Sequence, residues 1–188
     1  YLGVKPMPKN QRISRIALLG LVCLSSMLLS YRPPDFDPNA KLKALFIMNF
    51  TRYFEWPENK KTGEFVIYLI GQNQNLTSEL KALAQKKKVG TQPITIVNHN
   101  RIEKNQMAHM VFFTNDFDLQ PISEAASKYR NKGVLVISEK SDACRSGSCV
   151  NFIYLDNKLK FEYSHNNALK SGLKTNDDFK TLAATVIN

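Results

Sequence analysis

The chain has 188 residues, 43% hydrophobic and 22% charged, which fits one ordinary globular domain plus an additional N-terminal segment. Its formal charge of +10 suggests a nucleic-acid partner only until the charges are placed. Residues 1–30 hold four basic and no acidic side chains, leaving 22 basic against 16 acidic, scattered and not interleaved with aromatics, so nucleic acid is excluded as a partner.

The N-terminal segment reads as a secretory signal peptide over residues 1–30. Lys5, Lys9, Arg12 and Arg15 precede an uncharged apolar run from Ile16 to Leu29, and Ser25, Ser26 and Ser30 are the small residues near its end. Met7 is the expected start. The run is short of the ~20 residues that span a bilayer, so cleavage is favoured over a retained anchor. Cys23 would be the site of a lipoprotein signal, but Val22 stands where a small residue is wanted. Cleavage after Ser30 would leave Tyr31 to Asn188 as an exported protein.

Residues 31–38 contain three prolines and read as an extended lead-in to a single domain over 39–188. From Asn39 the pattern is helical, with Leu42, Leu45, Phe46, Phe50, Tyr53 and Phe54 on one face until Trp56 and Pro57 end it. Phe65 to Ile70 is an uninterrupted apolar strand, closed by Gly71, of the kind buried on both faces of a parallel sheet. Leu76, Leu80, Leu83 and Ala84 mark a helix capped by Asn75 or Thr77, with Lys86, Lys87 and Lys88 as its solvated end.

Strands are predicted at Ile94–Val97, Met110–Thr114 and Val134–Ile137, with a helix at Ile122–Tyr129 between the last two. A hairpin follows: Phe152 to Leu155 is apolar, Asp156 and Asn157 accept positive φ, and Leu159, Phe161 and Tyr163 alternate with polar residues. Thr175, Asn176 and Asp178 are a capping group for a closing helix through Phe179, Leu182, Ala183, Val186 and Ile187. The fold class is therefore α/β: one domain, a mixed and mostly parallel sheet flanked by helices, with a C-terminal antiparallel hairpin.

With Cys23 removed, Cys144 and Cys149 remain in an oxidising compartment and would close a loop of six residues. A disulfide is the favoured reading over metal binding, because His99, His109 and His165 are dispersed. A staple this short is worth about 2 kcal/mol, enough to fix loop shape but not to decide folding.

No motif carries chemistry. GQNQNL after the first strand has one glycine where a dinucleotide fingerprint needs three, and RSGSC is turn chemistry instead of a nucleophile elbow. Asp116 with Asp118, and Asp177 with Asp178, have structural explanations at turns and a helix start. No catalytic residue, metal or cofactor is expected, and the chain reads as a binding module instead of an enzyme.

KALFIMNFTRYFEWP, ending in Trp56 and Pro57, and CVNFIYLDNKLKFEYSHNNALKSGL, with Asn151, Phe152, Phe161, Glu162, Asn167, Ala168, Gly172 and Leu173, together resemble the YfiR-like family of periplasmic proteins. Leu182 and Ala183 also fit. The chain departs from the family at Tyr68 and Met110, near which members commonly carry further cysteines, and at Cys149 and Val150, where the family is often Gly-rich. The resemblance implies a periplasmic signalling regulator. On that resemblance it would bind and inhibit an inner-membrane diguanylate cyclase through the cyclase's external domain, lowering cyclic-di-GMP and biofilm formation. An OmpA-like outer-membrane lipoprotein would sequester it, and a second copy of the chain stays open as a partner.

Candidate contacts are Trp56, Asn151 and Glu162. Trp56 either meets a partner or caps its helix against the core, and Glu162 is either a solvated edge charge or the anchor of a polar site beside Asn151. The competing function is a small-ligand receptor or carrier using the crevice near Gly71, Asn98 and Thr114. A hydrolase built from dispersed residues comes third.

Overall fold

Six consecutive apolar side chains from Phe65 to Ile70 form β2, the strand around which the sheet is built. The computed structural model describes residues 37–103 and 107–187, so the expected signal peptide, Cys23 and the lead-in up to Phe36 fall outside the described residues. In chain order the elements are α1 (Ala40–Phe50), β1 (Phe54–Glu55), β2 (Phe65–Ile70), α2 (Gln74–Ala84), β3 (Lys88–Val89), β4 (Gln92–His99) and β5 (Met110–Phe113). They continue as α3 (Leu119–Lys128), β6 (Leu135–Ser138), β7 (Val150–Leu155), β8 (Lys158–Ser164), α4 (His165–Lys170), β9 (Lys174–Thr175), α5 (Asp178–Leu182) and β10 (Thr185–Ile187).

Eight strands lie in the order β10-β8-β7-β6-β5-β2-β4-β3, and β1 pairs with β9 as a separate antiparallel ribbon. The sheet is parallel from β4 through β2, β5 and β6 to β7, and antiparallel at β7–β8 and β3–β4. This is the expected mixed, mostly parallel α/β sheet. From β2 the chain crosses through α2 to β4 on one side, and from β5 through α3 to β6 on the other. Right-handed crossovers in opposite directions place α2 and α3 on opposite faces, with the topological switch between the carboxyl ends of β2 and β5.

The first helix stops at Phe50, four residues short of the expected Phe54. Phe54 and Glu55 are instead drawn into the ribbon opposite Thr175 and Lys174. The buried stripe also differs: Leu42 is 41% exposed, whereas Lys43 is 4% exposed. Lys43 turns inward because two carboxylates wait for it there. Phe46 and Phe50 pack as expected, both against Phe152 and Phe161 of the hairpin.

Asp156 and Asn157 take φ of 51° and 58°, the paired left-handed conformation of a two-residue hairpin turn, and β7 and β8 pair in the register this dictates. Asn73, not Asn75 or Thr77, caps α2 by accepting from Leu76 N at 2.9 Å.

The closing helix is the largest departure. It runs only from Asp178 to Leu182, and Thr185–Ile187 then joins β8 in parallel as β10. Apolar residues at 179, 182, 183, 186 and 187 suit helical spacing, but the last three positions carry two β-branched residues beside an unpaired strand edge. The edge wins, beginning with Ala184 N donating to Phe161 O at 2.9 Å. Leu182 and Val186, expected to be docked, are 52% and 39% exposed. No helix among the described residues is long and apolar enough to cross a membrane.

Candidate functional site

Cys144 and Cys149 lie on the loop between β6 and β7, and both are buried. Asn167 of α4 clamps this loop, its Nδ2 donating to Cys144 O at 2.7 Å and to Ser148 O at 2.9 Å. Ser148 Oγ donates to Val136 O and Val150 O at 3.1 and 2.7 Å, tying the loop back to the strands on either side. Ser148 did not stand out in the sequence, and Asn167 did so only through the family resemblance, since the partners of both are set by the fold.

The expected Cys144–Cys149 bond is not formed in the structure, where both cysteines are free thiols. The two sulfurs have separate partners. Cys144 Sγ points to the carbonyls of Cys149 and Glu162, at 3.9 and 3.8 Å, and Cys149 Sγ meets Ser171 Oγ at 3.6 Å. Burial pushes both thiols above their ordinary value of 9.0, and for Cys144 the nearby Glu162 carboxylate adds to it. Only thiolate reacts with alkylating agents, and each unit of pKa costs about a tenfold loss of thiolate. The folded, reduced protein is therefore expected to be alkylated at least 100-fold more slowly than the same protein in denaturant, read by mass spectrometry over time. Equal rates would show that the loop opens freely.

Asn151 and Glu162 face each other across β7 and β8, with Asn151 Nδ2 donating to Glu162 Oε2 at 3.2 Å. The structure thus joins Cys144, Asn151 and Glu162 into one polar cluster. Asn151 is wholly buried, however, and its Oδ1 has no partner. It can hold Glu162 in place but cannot itself touch a partner. Glu162 is half-buried, beside Thr185 of β10.

Trp56 lies apart from that cluster and is 6% exposed. Its ring meets Phe65 edge-on at 4.9 Å, and its Nε1 donates to His109 O at 3.2 Å. Of its two readings the structure supports the core cap. His109 completes the node: its Nδ1 accepts from Val66 N at 3.0 Å, so Nε2 carries the proton and donates to Lys60 O at 2.8 Å. Burial pushes the His109 imidazole below its ordinary value and keeps it neutral. The FEWP stretch is thereby pinned to the start of β2.

The switch-point crevice is tightly knit. Asn98 Nδ2 donates to Leu69 O and Gly71 O at 3.2 and 2.8 Å, and Thr114 Oγ1 donates to Ile70 O at 3.1 Å and bonds Asp116. A Cβ on Gly71 would lie 1.7 Å from Thr114 Oγ1, so the φ of +120° and the closeness of the two loops both require glycine.

Above the neighbouring strand ends, Lys43 Nζ bonds Asp37 at 2.8 Å and Glu139, Asn73 Nδ2 donates to Asp37 at 2.9 Å, and Glu139 Oε1 accepts from Asn115 N at 3.2 Å. Burial alone would raise the Asp37 carboxyl. The bonds from Lys43 and Asn73 outweigh it and hold the group below 3.8, whereas Glu139 and Asp37 hold Lys43 above 10.5 against its own burial.

Beside this closed crevice is a cavity of about 420 Å³, floored by Ile70, Ile102, Phe113 and Phe117 and rimmed by Arg101 and Lys128. Among the described residues no group of acidic, histidine or cysteine side chains could hold a metal ion. One family model, described as YfiR/HmsC-like, matches residues 40–184. No curated protein matches the chain.

Proposed function

The chain belongs to the YfiR/HmsC-like family, and on that premise we propose that it is a periplasmic regulator that binds the external domain of an inner-membrane diguanylate cyclase and holds the cyclase in its inactive state. The match over residues 40–184 carries this reading. Binding alone is sufficient mechanism, because a protein with higher affinity for one of two cyclase conformations shifts their populations without chemistry of its own. An OmpA-like outer-membrane lipoprotein is the proposed antagonist, and a second copy of the chain a further partner.

The contact surface moves outward from the residues first expected. Trp56 and Asn151 are buried, but the hairpin tip beyond Asn151 presents Tyr154 and Leu155 at 52% and 40% exposure. Tyr154 Oη accepts from Asn39 Nδ2 at 3.1 Å, one helical turn before the exposed Leu42. An apolar tip fixed at its base is the kind of anchor that dominates protein interfaces.

Deleting the gene is expected to raise cyclic-di-GMP and biofilm matrix, and the wild-type gene to restore both. Tyr154→Ala with Leu155→Asp is expected to fail to restore them at equal periplasmic abundance and nearly unchanged Tm. Unchanged nucleotide levels in the deletion strain, with the cognate cyclase expressed, would refute the regulator. Full restoration by the double variant would move the contact elsewhere.

The cavity floored by Phe113 and Phe117 favours one second reading, a receptor or carrier for a small ligand with an apolar body. Its volume is within the range of small-molecule sites. That reading requires a purified protein whose Tm rises with such a ligand and a deletion strain with unchanged cyclic-di-GMP.

A further inference from the structure

Behind the cysteine loop is a second, polar cleft of about 230 Å³ with three walls. Helix α3 contributes Ser123 and Ser127, the turn after it Arg130, the loop Arg145 and Ser146, and α4 Lys170. Among the described residues no carboxylate lines it. Arg145 has an exposed ion pair at 3.5 Å with Asp142, but Arg130 and Lys170 pair with no carboxylate among the described residues. The hydroxyls of Ser123, Ser127 and Ser146 likewise make no hydrogen bond among the described residues.

The walls are fixed to one another. Asn131 N and Gly133 N, just after Arg130, donate to Lys170 O and Ser171 O at 2.9 and 2.7 Å. That sets the backbones carrying Arg130 and Lys170 in register. Asn167 holds the loop to α4 through its two bonds to Cys144 O and Ser148 O. Gly147 brings the loop onto α3 at φ +111°, where a Cβ would come within 2.6 Å of the Ala126 methyl. Three cations and three free hydroxyls therefore converge on one small space whose shape is set before any ligand arrives.

A ligand for this cleft must carry concentrated negative charge and several acceptor oxygens. A lone carboxylate offers two oxygens to three cations. A phosphoryl group offers more, with a geometry that guanidinium forks match. We propose that the cleft binds a phosphoryl group, supplied by a soluble phosphate ester or by an anionic lipid headgroup. Occupancy would bridge α3, the cysteine loop and α4, and so reach the polar cluster of Cys144, Asn151 and Glu162 from outside. This goes beyond the regulator reading and does not depend on it.

The protein is tested with two probes at constant ionic strength. Glycerol 3-phosphate is expected to raise Tm and to bind saturably by calorimetry if the source is soluble. Cosedimentation with vesicles of phosphatidylglycerol in phosphatidylcholine, and not with phosphatidylcholine alone, is expected if it is a headgroup. In either arm Arg130→Gln with Lys170→Gln should weaken binding at least tenfold with Tm unchanged in the absence of probe, both side chains being exposed. Gly147→Ala, which alters no charge, should also weaken it by lifting the loop off α3. Binding in neither arm, or undiminished binding by the double variant, overturns the site. Undiminished binding by Gly147→Ala reduces it to diffuse surface charge and overturns the built cleft.

Discussion

Replacing Lys43 with methionine is expected to destabilise the domain by about 3–5 kcal/mol, the usual cost of removing one partner from a buried ion pair. For a domain of this size that is a fall in Tm of roughly 10 °C. The side chains of Lys43, Asp37 and Glu139 are 5%, 12% and 11% exposed, so water cannot replace the lost ammonium. Asn73 and the Asn115 amide would remain as neutral donors and cannot offset two carboxylates. Further replacing Asp37 with asparagine and Glu139 with glutamine in the Lys43→Met background should recover much of the loss, because no unpaired charge is then left buried. A loss below about 1 kcal/mol in the single variant would show that the network is solvated in solution.

The same network sets a pH window. Asp37 titrates below its ordinary 3.8 in the folded state, so its contribution is present above that value and is lost as pH falls through the lower folded value. Lys43 titrates above 10.5 when folded, so its contribution is complete below 10.5 and is lost as pH rises through the higher folded value. Between these limits both groups are charged in both states, and the network contributes fully. The Lys43→Met variant should flatten the alkaline limb.

Much of the fold was legible because local signals agreed with one another. The apolar run of β2, the paired Asp156 and Asn157 of the hairpin turn and the alternation of β8 each specify their conformation without help from distant residues. The candidate site was less legible. Lys43 sits on a helix whose pattern favours Leu42 for the core, and the carboxylate that reverses this is Glu139, 96 residues away. Asn167 and Ser148 are ordinary loop and helix residues until they meet. The end of the chain failed differently: its residues suit either helix or strand, and an unpaired edge on β8 decides for strand.

Phe179 holds that end in place, and Phe179→Ala is expected to cost about 3–5 kcal/mol, in the range for a buried aromatic truncated to a methyl. The ring is wholly buried and meets Phe50 at 5.3 Å, Phe54 at 4.8 Å, Phe161 at 5.1 Å and Tyr163 at 4.9 Å. It therefore joins α1, the β1 ribbon and β8, and α5 has no other buried side chain with which to dock. A five-residue helix does not persist alone in water. Loss of the ring should release α5 and with it β10, which pairs with β8 over only three residues. Two measurements follow. Denaturant unfolding should show the global loss, and native hydrogen exchange should show the amides of residues 184–187 losing protection well before those of β2. Leu182→Ala, half exposed and outside the ring cluster, should cost under about 0.5 kcal/mol. Retained protection over residues 184–187 in Phe179→Ala would mean that the strand pairing, not the aromatic anchor, keeps the last strand on the sheet.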